Sequence, residues 1–541
     1  AAWLEAYELS HLRQIVGTLS RKTAGSIAGD HSSVRPGVRP LAQFAFCIDV
    51  RSEVFRRHLE RRGGYETFGF AGFFGLPVSF RPLDEPHETE LCPVLLRPKH
   101  VVREVPRTYD DRTAQRRRIT QRAAKSGREL LHDLKHNVIT PYVMVEAVGW
   151  FFGWPLIGKT LFPKWYDQIA TWFAGKVFPK VATTLTVDKL TTAEAEEMVA
   201  VDQRRRILEW LRSRRQVEGT ALTPERLEAI RLQALGEHHE SAVTPGELGH
   251  LLVLTKAHET RLLDELRQAC RINPRETTAR IDRMIRTGFT TTEQAYYVET
   301  ALRLMGLTTT FARLIFLCGH ESHSENNPYE SSLDCGACGG SGGLPNARTF
   351  ATIANRAGVR ELLAQRGIAI PSDTRFVAAV HDTTTDRLTI ADLEDVPSTH
   401  RRELAQVMDD LAGASADSAA ERHGRLEGRT VVASASSAAN RRRSHDWAQV
   451  RPEWGLARNS LFIIGGRRLT YGTDLEGRSF LHSYDYRIDP DGKLLEVIMT
   501  APLIVAEWIN LEYYFSTVAP DIFGSGSKVY HNVTGRIGVM S

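Results

Sequence analysis

Two short apolar runs, far apart in the chain, each lead into side chains that commonly bind metals. The first run, residues 42–48, leads into Cys47 and Asp49, and the second precedes His320 and Cys335. Apolar runs of this length, bounded by turn-forming residues, are typical of buried strands. Parallel strands place their carboxyl ends at one edge of a sheet, where open α/β sheets bind ligands. The pattern therefore predicts an α/β fold whose mostly parallel sheet brings both groups of side chains together.

Local signals around the two runs extend this prediction. A helix starting at Ser52 and an aromatic, glycine-rich strand at residues 66–74 complete a β-α-β unit after the first run. The second run is followed by a glycine-rich loop and by a helix predicted over residues 346–366. Further predicted strands lie at residues 376–380 and 461–464.

The side chains after the two runs form a complete set of zinc ligands. Zinc accepts thiolate, imidazole and carboxylate donors in a tetrahedron, and the set comprises Cys47, Asp49, His320 and Cys335. Residues i and i+2 point the same way at a strand end, so Cys47, Asp49 and Arg51 can share one face. Arg51 could then hold Asp49 in a bidentate pair, off the metal, so that water takes its place. Because zinc lowers the pKa of bound water from about 15.7 toward about 7, the pattern predicts catalytic roles for Asp49 and Arg51.

The cysteines also allow other interpretations. Cys335 and Cys338 form a Cys-x-x-Cys element, which is equally typical of a structural zinc loop, and that alternative stays open. A thiol redox role is disfavoured, because it requires the pair at a helix start in a thioredoxin-like unit, and glycines surround the pair here. Cys318 ends an apolar run and fits a packed core thiol. The chain has only six cysteines, which fits a reducing, cytoplasmic compartment.

Charge and hydropathy narrow the classes of partner. The 69 basic and 65 acidic side chains leave a formal net charge of +4, so no global field predicts nucleic-acid binding. The longest apolar interval, residues 142–178, is interrupted by charged side chains, and its uncharged part is too short to cross a bilayer. It follows a basic segment at residues 103–135 and is rich in aromatic residues. Such a stretch fits either a protein or membrane interface or a buried pair of helices.

These signals divide the chain into six parts. Residues 1–100 and 301–412 are predicted to form the two halves of an α/β zinc core, and residues 185–300 a large helical insertion. The other parts are a basic and aromatic-rich interface segment at 101–184, a connector at 413–445, and a C-terminal α/β region at 446–541. Neither end has the features of a natural terminus, so we expect the native protein to extend further.

Several motifs resemble one known family. They are Cys47-Ile-Asp-Val-Arg-Ser-Glu53, Gly319-His-Glu-Ser-His-Ser-Glu-Asn-Asn-Pro328, Asp334-Cys-Gly-Ala-Cys-Gly-Gly340, the stretch from Asp446 to Leu456, Phe480-Leu-His-Ser-Tyr-Asp485, and the stretches from Thr500 to Tyr514 and from Lys528 to Gly535. Together they resemble the DabA family of inorganic carbon transporter subunits and run over most of the chain. The Cys-x-Asp-x-Arg piece is also similar to that of the β-carbonic anhydrases.

The resemblance implies a zinc site on Cys47, Asp49, His320 and Cys335, with Arg51 paired to Asp49, in a core resembling β-carbonic anhydrase. It implies vectorial hydration of carbon dioxide to bicarbonate beside a DabB-like membrane subunit, itself similar to the proton-translocating antiporter subunits of respiratory complex I. A cation gradient would set the direction of this energy-coupled uptake. The chain would then lie peripherally on the cytoplasmic face of the inner membrane and be active only within the transporter complex. The alternative is a non-catalytic scaffold subunit that zinc stabilises and that binds the membrane partner.

One departure from the β-carbonic anhydrases concerns the spacing of the ligands. Those enzymes place the histidine and the second cysteine three residues apart, whereas His320 and Cys335 are fifteen apart. The added loop, residues 321–334, could gate the site or contact a partner.

Overall fold

The structure is a computed structural model with two compact units. It describes residues 2–26, 38–85, 87–110, 112–117, 119–121, 123–124, 126, 140–213, 222–236, 244–324, 333–428, 433–446, 449, 452–454, 456 and 459–523. One unit comprises Ala1–Leu185 with Thr291–Ser541, and the other comprises Thr186–Thr290. The motif at residues 528–535 and most of the loop at 321–334 lie outside the described residues.

The described chain contains both strands and helices, in runs of either kind. The strands are β1 (Ala42–Cys47), β2 (Tyr65–Phe70), β3 (Val78–Arg81), β4 (Thr89–Leu91), β5 (His100–Pro106), β6 (Thr183–Thr186), β7 (Leu314–Glu321), β8 (Arg375–Asp382), β9 (Arg387–Ile390), β10 (Leu461–Ile464) and β11 (Ser479–His482). The helices are α1 (Ala2–Ser26), α2 (Arg51–Glu60), α3 (Thr140–Leu161), α4 (Pro163–Val177), α5 (Thr192–Ser213), α6 (Pro224–Leu235), α7 (Glu247–Leu252), α8 (Lys256–Cys270), α9 (Pro274–Ile285), α10 (Thr291–Met305), α11 (Leu344–Ala354), α12 (Ala357–Gln365), α13 (Arg401–Glu427), α14 (Ala433–His445), α15 (Lys493–Thr500), α16 (Pro502–Val518) and α17 (Pro520–Phe523).

A five-stranded sheet forms the centre of the larger unit. Its strand order is β2-β1-β7-β8-β9, with parallel pairing from β2 through β8 and an antiparallel edge strand, β9. Every residue of β1 is buried, as expected for a parallel strand covered on both faces. Helices α2 and α13 cover one face and α11 covers the other. The mixed α/β class and the parallel pairing predicted from the apolar runs are therefore confirmed.

Aromatic stacking supports the junction between the two halves of the chain. Phe44 on β1 and Phe316 on β7 stack with ring centroids 4.7 Å apart. Phe55 on α2 packs 5.8 Å from Phe46 in the same buried cluster. Stacked aromatic pairs of this kind add to the free energy of burial, so β1 and β7 are held together by their side chains as well as by their backbone ladder.

The strand order reverses between β1 and β7. The chain leaves β1 for β2 on one side, whereas it leaves β7 for β8 on the other, so the two crossover connections diverge from this pair of strands. A crevice opens at the carboxyl ends of strands at such a switch point, and ligands of open α/β sheets bind there. Cys47 ends β1, and Phe46 beside it pairs with Cys318 of β7. The topology thus favours a ligand site at the carboxyl ends of β1 and β7.

Several element bounds differ from those predicted. Strand β7 runs past Cys318 to Glu321, so His320 lies within the strand rather than after it. The helix predicted over residues 346–366 is two helices, α11 and α12. Residues 461–464 do form a strand, but β10 pairs with β11 in a separate two-stranded sheet. The differences in the strands arise because pairing with distant strands, not the local apolar run, sets where a strand ends.

Three smaller regions complete the larger unit. A four-stranded sheet has the order β4-β3-β5-β6. Helices α13 and α14 pack against each other over much of the predicted connector, residues 413–445. Among the described residues one helical stretch, Lys493–Leu511, is long and apolar enough to cross a membrane by length and composition, with 11% of it buried. One such stretch does not by itself establish a span.

The smaller unit is helical. Helices α5 to α9 lie within Thr186–Thr290, and a buried cluster that includes Ile207, Leu211, Ile230, Leu263 and Leu266 forms its core. Glu259 is a buried carboxylate in this unit and accepts hydrogen bonds from the backbone N–H groups of Gly246 and Gly249 and from the Gln233 amide. Burial by itself raises the pKa of Glu259. The hydrogen bonds outweigh this effect, so the pKa of Glu259 is lower than its ordinary value.

Strand β11 docks against the edge of the main sheet at a glycine. Gly69 exchanges hydrogen bonds with Ser483, its N–H donating to Ser483 Oγ (2.9 Å) and its carbonyl accepting from Ser483 N–H (2.9 Å). A Cβ atom at position 69 would lie 1.7 Å from the carbonyl oxygen of Leu481. Only glycine permits this approach of the two backbones.

We therefore expect Gly69→Ala to lower the free energy of unfolding by about 1–3 kcal/mol through forced separation of β2 from β11. Chemical denaturation monitored by tryptophan fluorescence would measure the change. Gly175→Ala is the matched control, because a Cβ there meets nothing within 4 Å and alanine favours the helix. Equal stability of Gly69→Ala and the parent chain would contradict the close approach.

Candidate metal centre

Three of the predicted ligands meet at the carboxyl ends of β1 and β7. The ligand atoms of Cys47, His320 and Cys335 all lie within 4.8 Å of one another, and all three residues are buried. The two sulfur atoms are 4.0 Å apart. Cys335 approaches on a turn whose backbone is closed by hydrogen bonds from its own N–H to Ser341 O (3.2 Å) and from Gly340 N–H to its carbonyl (2.9 Å). The glycine-rich loop is therefore a defined turn that presents a thiol to the strand ends.

The geometry and chemistry of these donors fit a metal ion. A tetrahedral zinc with Zn–S bonds of about 2.3 Å holds two sulfurs about 3.8 Å apart, close to the separation seen here. The hydrogen bond with Cys335 and burial raise the pKa of the Cys47 thiol well above its usual range. A cation is what would allow both sulfurs to carry negative charge in this buried place. A buried Cys-His-Cys group that could hold a metal is thus part of the fold.

Gly72 makes room for the two sulfurs, a role that the sequence did not reveal. A Cβ at this position would lie 2.6 Å from Cys335 Sγ and 2.8 Å from Cys47 Sγ. Gly72 follows β2, which is the neighbour of β1 in the sheet. The segment after β2 therefore leaves space for the sulfur atoms, and the end of β1 carries the donor Cys47. The only signal in the sequence is a glycine within an aromatic stretch, which many turns share.

Asp49 stands beside the three donors rather than among them. Its two carboxylate oxygens accept hydrogen bonds from Arg51, Oδ1 from Nε at 2.7 Å and Oδ2 from Nη2 at 2.9 Å. Oδ2 also lies 3.6 Å from His320 Nε2. The predicted bidentate pair is present, and the group of mutually close donors does not include Asp49.

The reason that Asp49 and Arg51 meet differs from the one predicted. Strand β1 ends at Cys47 and α2 begins at Arg51, so the two residues do not share a strand face. Instead, Asp49 Oδ1 accepts from the backbone N–H of Arg51, two residues further on, at 3.0 Å, as in an Asx turn. Ser52 Oγ lies 2.8 Å from the carbonyl oxygen of Cys47 and holds this turn. The strand-to-helix turn, not the pleat of a strand, creates the pair.

Arg51 is fully buried, and each of its five side-chain N–H groups has an acceptor. In addition to Asp49, Nη2 donates to the carbonyl oxygen of Leu333 at 2.7 Å. Nη1 donates to Thr383 Oγ1 at 3.0 Å and to Glu453 Oε1 at 3.1 Å. The guanidinium group is therefore fixed by four separate segments of the chain.

Glu453 is the second functional candidate that sequence reasoning missed. Its side chain is 3% exposed and forms an ion pair with Arg51. Its other oxygen, Oε2, accepts from Thr384 Oγ1 at 2.9 Å and lies 3.2 Å from Ser322 Oγ. Glu453 thus binds the guanidinium group through Nη1 at the same time as Asp49 binds Nε and Nη2, and it helps to fix the direction in which the group points. Glu453 belongs to a motif of the family resemblance, but nothing in its local sequence links it to Arg51.

The remaining cysteines in this region do not join the donor group. Cys318 lies in the buried cluster between the sheet and its helices, where burial raises the pKa of its thiol well above its usual range. Cys338 is also fully buried, and burial raises its thiol pKa. A raised pKa disfavours the thiolate form that redox exchange requires, which weakens the redox interpretation for Cys338.

The described ends of the loop at residues 321–334 contact the site directly. Ser322 N–H donates to Asp334 Oδ1 at 2.8 Å and so joins the two ends. The adjacent Leu333 carbonyl accepts from Arg51. Residues 325–332 lie outside the described part of the chain. The loop is therefore in contact with the arginine that holds Asp49.

An apolar cavity of about 410 Å³ adjoins the donors. Cys47, Asp49, His320 and Cys335 all lie on its wall. The rest of the lining is mostly apolar and includes Phe70, Phe73, Leu96, Phe480, Val505 and Ile509. Helices α15 and α16 contribute one side of it. The cavity can accommodate a small uncharged molecule next to the donor group.

Comparison with known proteins links the chain to one family over its whole length. The profile of the family described as "Probable inorganic carbon transporter subunit DabA" matches residues 1–541. No solved structure matches the chain significantly.

Three curated relatives illustrate the match. Probable inorganic carbon transporter subunit DabA1 of Halothiobacillus neapolitanus is 43% identical over 543 residues, covering 100% of this chain and 50% of the relative. DabA of Thiobacillus denitrificans is 45% identical over 515 residues, covering 94% and 48%. DabA of Aquifex aeolicus is 40% identical over 550 residues, covering 100% and 51%. The chain therefore spans about half the length of these relatives.

We expect Gly72→Ala to weaken metal binding at least about tenfold, because the added methyl group would push the two sulfurs away from each other and from His320. Titration of the metal-free chain with Co²⁺, followed by the thiolate-to-metal absorption band, would measure the affinity. Gly175→Ala again serves as the control for the addition of a methyl group. An unchanged Co²⁺ affinity in Gly72→Ala would show that the sulfurs do not act together as ligands.

Proposed function

The chain belongs to the DabA family of probable inorganic carbon transporter subunits, and we propose that it carries the zinc centre at which carbon dioxide is hydrated to bicarbonate during inorganic carbon uptake. The observation that carries the proposal is the buried Cys47, His320 and Cys335 group on the wall of an apolar cavity. Beside it stands a carboxylate, Asp49, whose position a buried arginine controls.

Cys47, His320 and Cys335 would hold zinc, with Asp49 as the fourth donor in a closed form of the site. When bound, zinc would supply the Lewis acidity that lowers the pKa of water toward about 7. In the arrangement described here, Arg51 holds both oxygens of Asp49. Asp49 Oδ2 would then accept a hydrogen bond from water beside the donors and orient it.

Arg51 would decide between the two arrangements. While it binds Asp49 at both oxygens, the carboxylate is kept away from the sulfurs, and if it turned toward Glu453 the carboxylate would be released. Both carboxylates bind the guanidinium group in the present arrangement, so a rotation that gave more of its N–H groups to Glu453 would break the bidentate pair with Asp49. The contact between Arg51 and Leu333 offers a route by which the loop at residues 321–334 would control this shift.

The apolar cavity suits carbon dioxide better than bicarbonate. Carbon dioxide is uncharged and has no net dipole, so apolar walls accept it without loss of hydrogen bonds. Bicarbonate is an anion, and apolar walls disfavour it by removing its hydration. The cavity would therefore admit the substrate and release the product. A parallel sheet with Cys-x-Asp-x-Arg at a strand end also supports a core of the β-carbonic anhydrase type.

The partner would be a DabB-like membrane subunit that resembles the antiporter subunits of respiratory complex I. The relatives are named as transporter subunits, which supports the presence of a further subunit. A cation gradient acting through that partner would give the hydration its direction. The chain would work at the cytoplasmic face of the inner membrane.

Removal of a sulfur or imidazole ligand is expected to abolish zinc binding. We expect roughly one zinc per parent chain and less than about one tenth of that in Cys47→Ala and in His320→Ala. Elemental analysis of the purified chains would measure it. Cys318→Ala is the matched control, because Cys318 is a buried free cysteine outside the donor group. Undiminished zinc in both ligand variants would rule out this site.

Asp49→Asn and Arg51→Ala separate a catalyst from a scaffold. A catalyst should keep its zinc and lose carbon dioxide hydration by at least about 100-fold, because the carboxylate no longer orients water. Exchange of ¹⁸O between carbon dioxide and water, measured on membranes that contain the full-length protein and its partner, provides the readout. Retained exchange together with retained zinc would contradict the catalytic roles of Asp49 and Arg51, and membranes of the parent protein that show no exchange at all would favour the scaffold alternative.

Loss of a buried arginine could unfold the chain, so Arg51→Lys should be measured beside Arg51→Ala. Lysine keeps the charge but cannot make the bidentate contact with Asp49. Arg56→Lys is the control, because Arg56 is also a buried arginine of α2 and contacts Thr67 rather than the site. Comparable loss of activity in the Arg51 and Arg56 variants would point to folding and contradict a specific role for Arg51.

A further inference from the structure

Helices α3 and α4 expose an unusual amount of apolar surface. The side chains of Trp150, Trp154, Trp165 and Trp172 are between 62% and 69% exposed. Other large apolar residues of the same two helices and of the turn between them are more than half exposed, and these are Leu156, Ile157, Leu161, Phe162, Ile169 and Phe173. The sequence allowed a buried pair of helices here, and the exposure of these described side chains contradicts that alternative. Contiguous apolar surface of this kind marks an interaction site.

The exposed residues follow helical spacing. On α3, Trp150, Trp154 and Ile157 recur at intervals of four and three residues and share one face. On α4, Trp165, Ile169 and Trp172 repeat the same spacing. Each helix therefore presents a stripe of tryptophan and aliphatic side chains. Helix α4 also packs against α14, which attaches the pair to the body of the unit.

Cations lie at the carboxyl ends of both helices. Lys159 lies in the last turn of α3, and its Nζ is 5.7 Å from the ring centre of Tyr166. Lys176 lies in the last turn of α4, and Lys180 follows it, both exposed. Tryptophan and lysine together are typical of helices at a membrane surface, where the rings enter the headgroup region and the ammonium groups meet anionic headgroups.

We propose that α3 and α4 form a lipid-binding element that lies flat on the surface of an anionic bilayer. The length of α4 favours this orientation over a transmembrane one, since its 15 residues are fewer than the roughly 20 that cross a bilayer. Neither helix is among the described stretches that are apolar and long enough to cross a membrane. The charge of the lysines matches phosphate headgroups. The element goes beyond the proposed function and does not depend on zinc.

Vesicle flotation of the 541-residue chain would test the element. We expect the chain to float with vesicles of phosphatidylcholine mixed with phosphatidylglycerol, to bind pure phosphatidylcholine less well, and to bind less at high salt. Trp154→Ser with Trp165→Ser should weaken binding at least about tenfold by removing buried apolar area. Lys176→Gln with Lys180→Gln should weaken binding to the anionic vesicles about thirtyfold, at about 1 kcal/mol per charge and tenfold per 1.4 kcal/mol.

Trp3→Ser is the matched control, because Trp3 lies on α1 and is 91% exposed. Its binding to vesicles should equal that of the parent chain. Equal losses in the Trp3 and Trp154 variants would indicate general adhesion and overturn the proposal. The proposal would also be overturned if the chain floated with neither kind of vesicle but still bound membranes that contain its partner protein. That result would assign the surface to a protein. Because the assay needs no metal, its failure would leave the zinc proposal untouched.

Discussion

The site depends on one buried guanidinium group. Arg51 joins the turn after β1, the end of the loop that follows β7, the residue after β8, and a segment that precedes β10. A buried arginine with an unpaired N–H would cost several kcal/mol, so the four segments must lie close together for the fold to tolerate it. The packing that satisfies the hydrogen bonds of Arg51 therefore also sets the shape of the candidate metal centre.

The topology of the sheet explains why the donors come from both halves of the chain. Strands β1 and β7 are neighbours, and the crossover connections leave them in opposite directions. The helices are thereby drawn apart at the carboxyl ends, and Cys47 and His320 meet in the space between them. The third donor, Cys335, lies on a turn immediately before a short 3-10 helix, Gly336–Cys338. Gly72 on the β2 side supplies the remaining space.

The sequence predicted those parts of the site that are set by local pattern. Apolar runs located β1 and β7, and the donors at their ends were identified correctly as neighbours. Glu453 could not be found this way, since its relation to Arg51 depends on packing between segments about four hundred residues apart. The contact between Asp49 and Arg51 was predicted for the wrong reason, because the helix start that creates it depends on where β1 ends. The sequence likewise could not decide whether the tryptophans of α3 and α4 are buried or exposed, because helical spacing is the same on a buried face and on an exposed one.

The charges around the centre explain why metal and fold are compatible. As thiolates and carboxylates, Cys47, Cys335, Asp49 and Glu453 carry four negative charges, and Arg51 carries one positive charge. A dication reduces the resulting charge of −3 to −1, and two thiol protons in place of the dication do the same. Burial and the hydrogen bond with Cys335 raise the pKa of the Cys47 thiol, so the pocket favours the proton in the absence of a cation. Binding of a divalent metal would thus exchange two protons for one ion at constant charge, so Arg51 could hold the same position in both states.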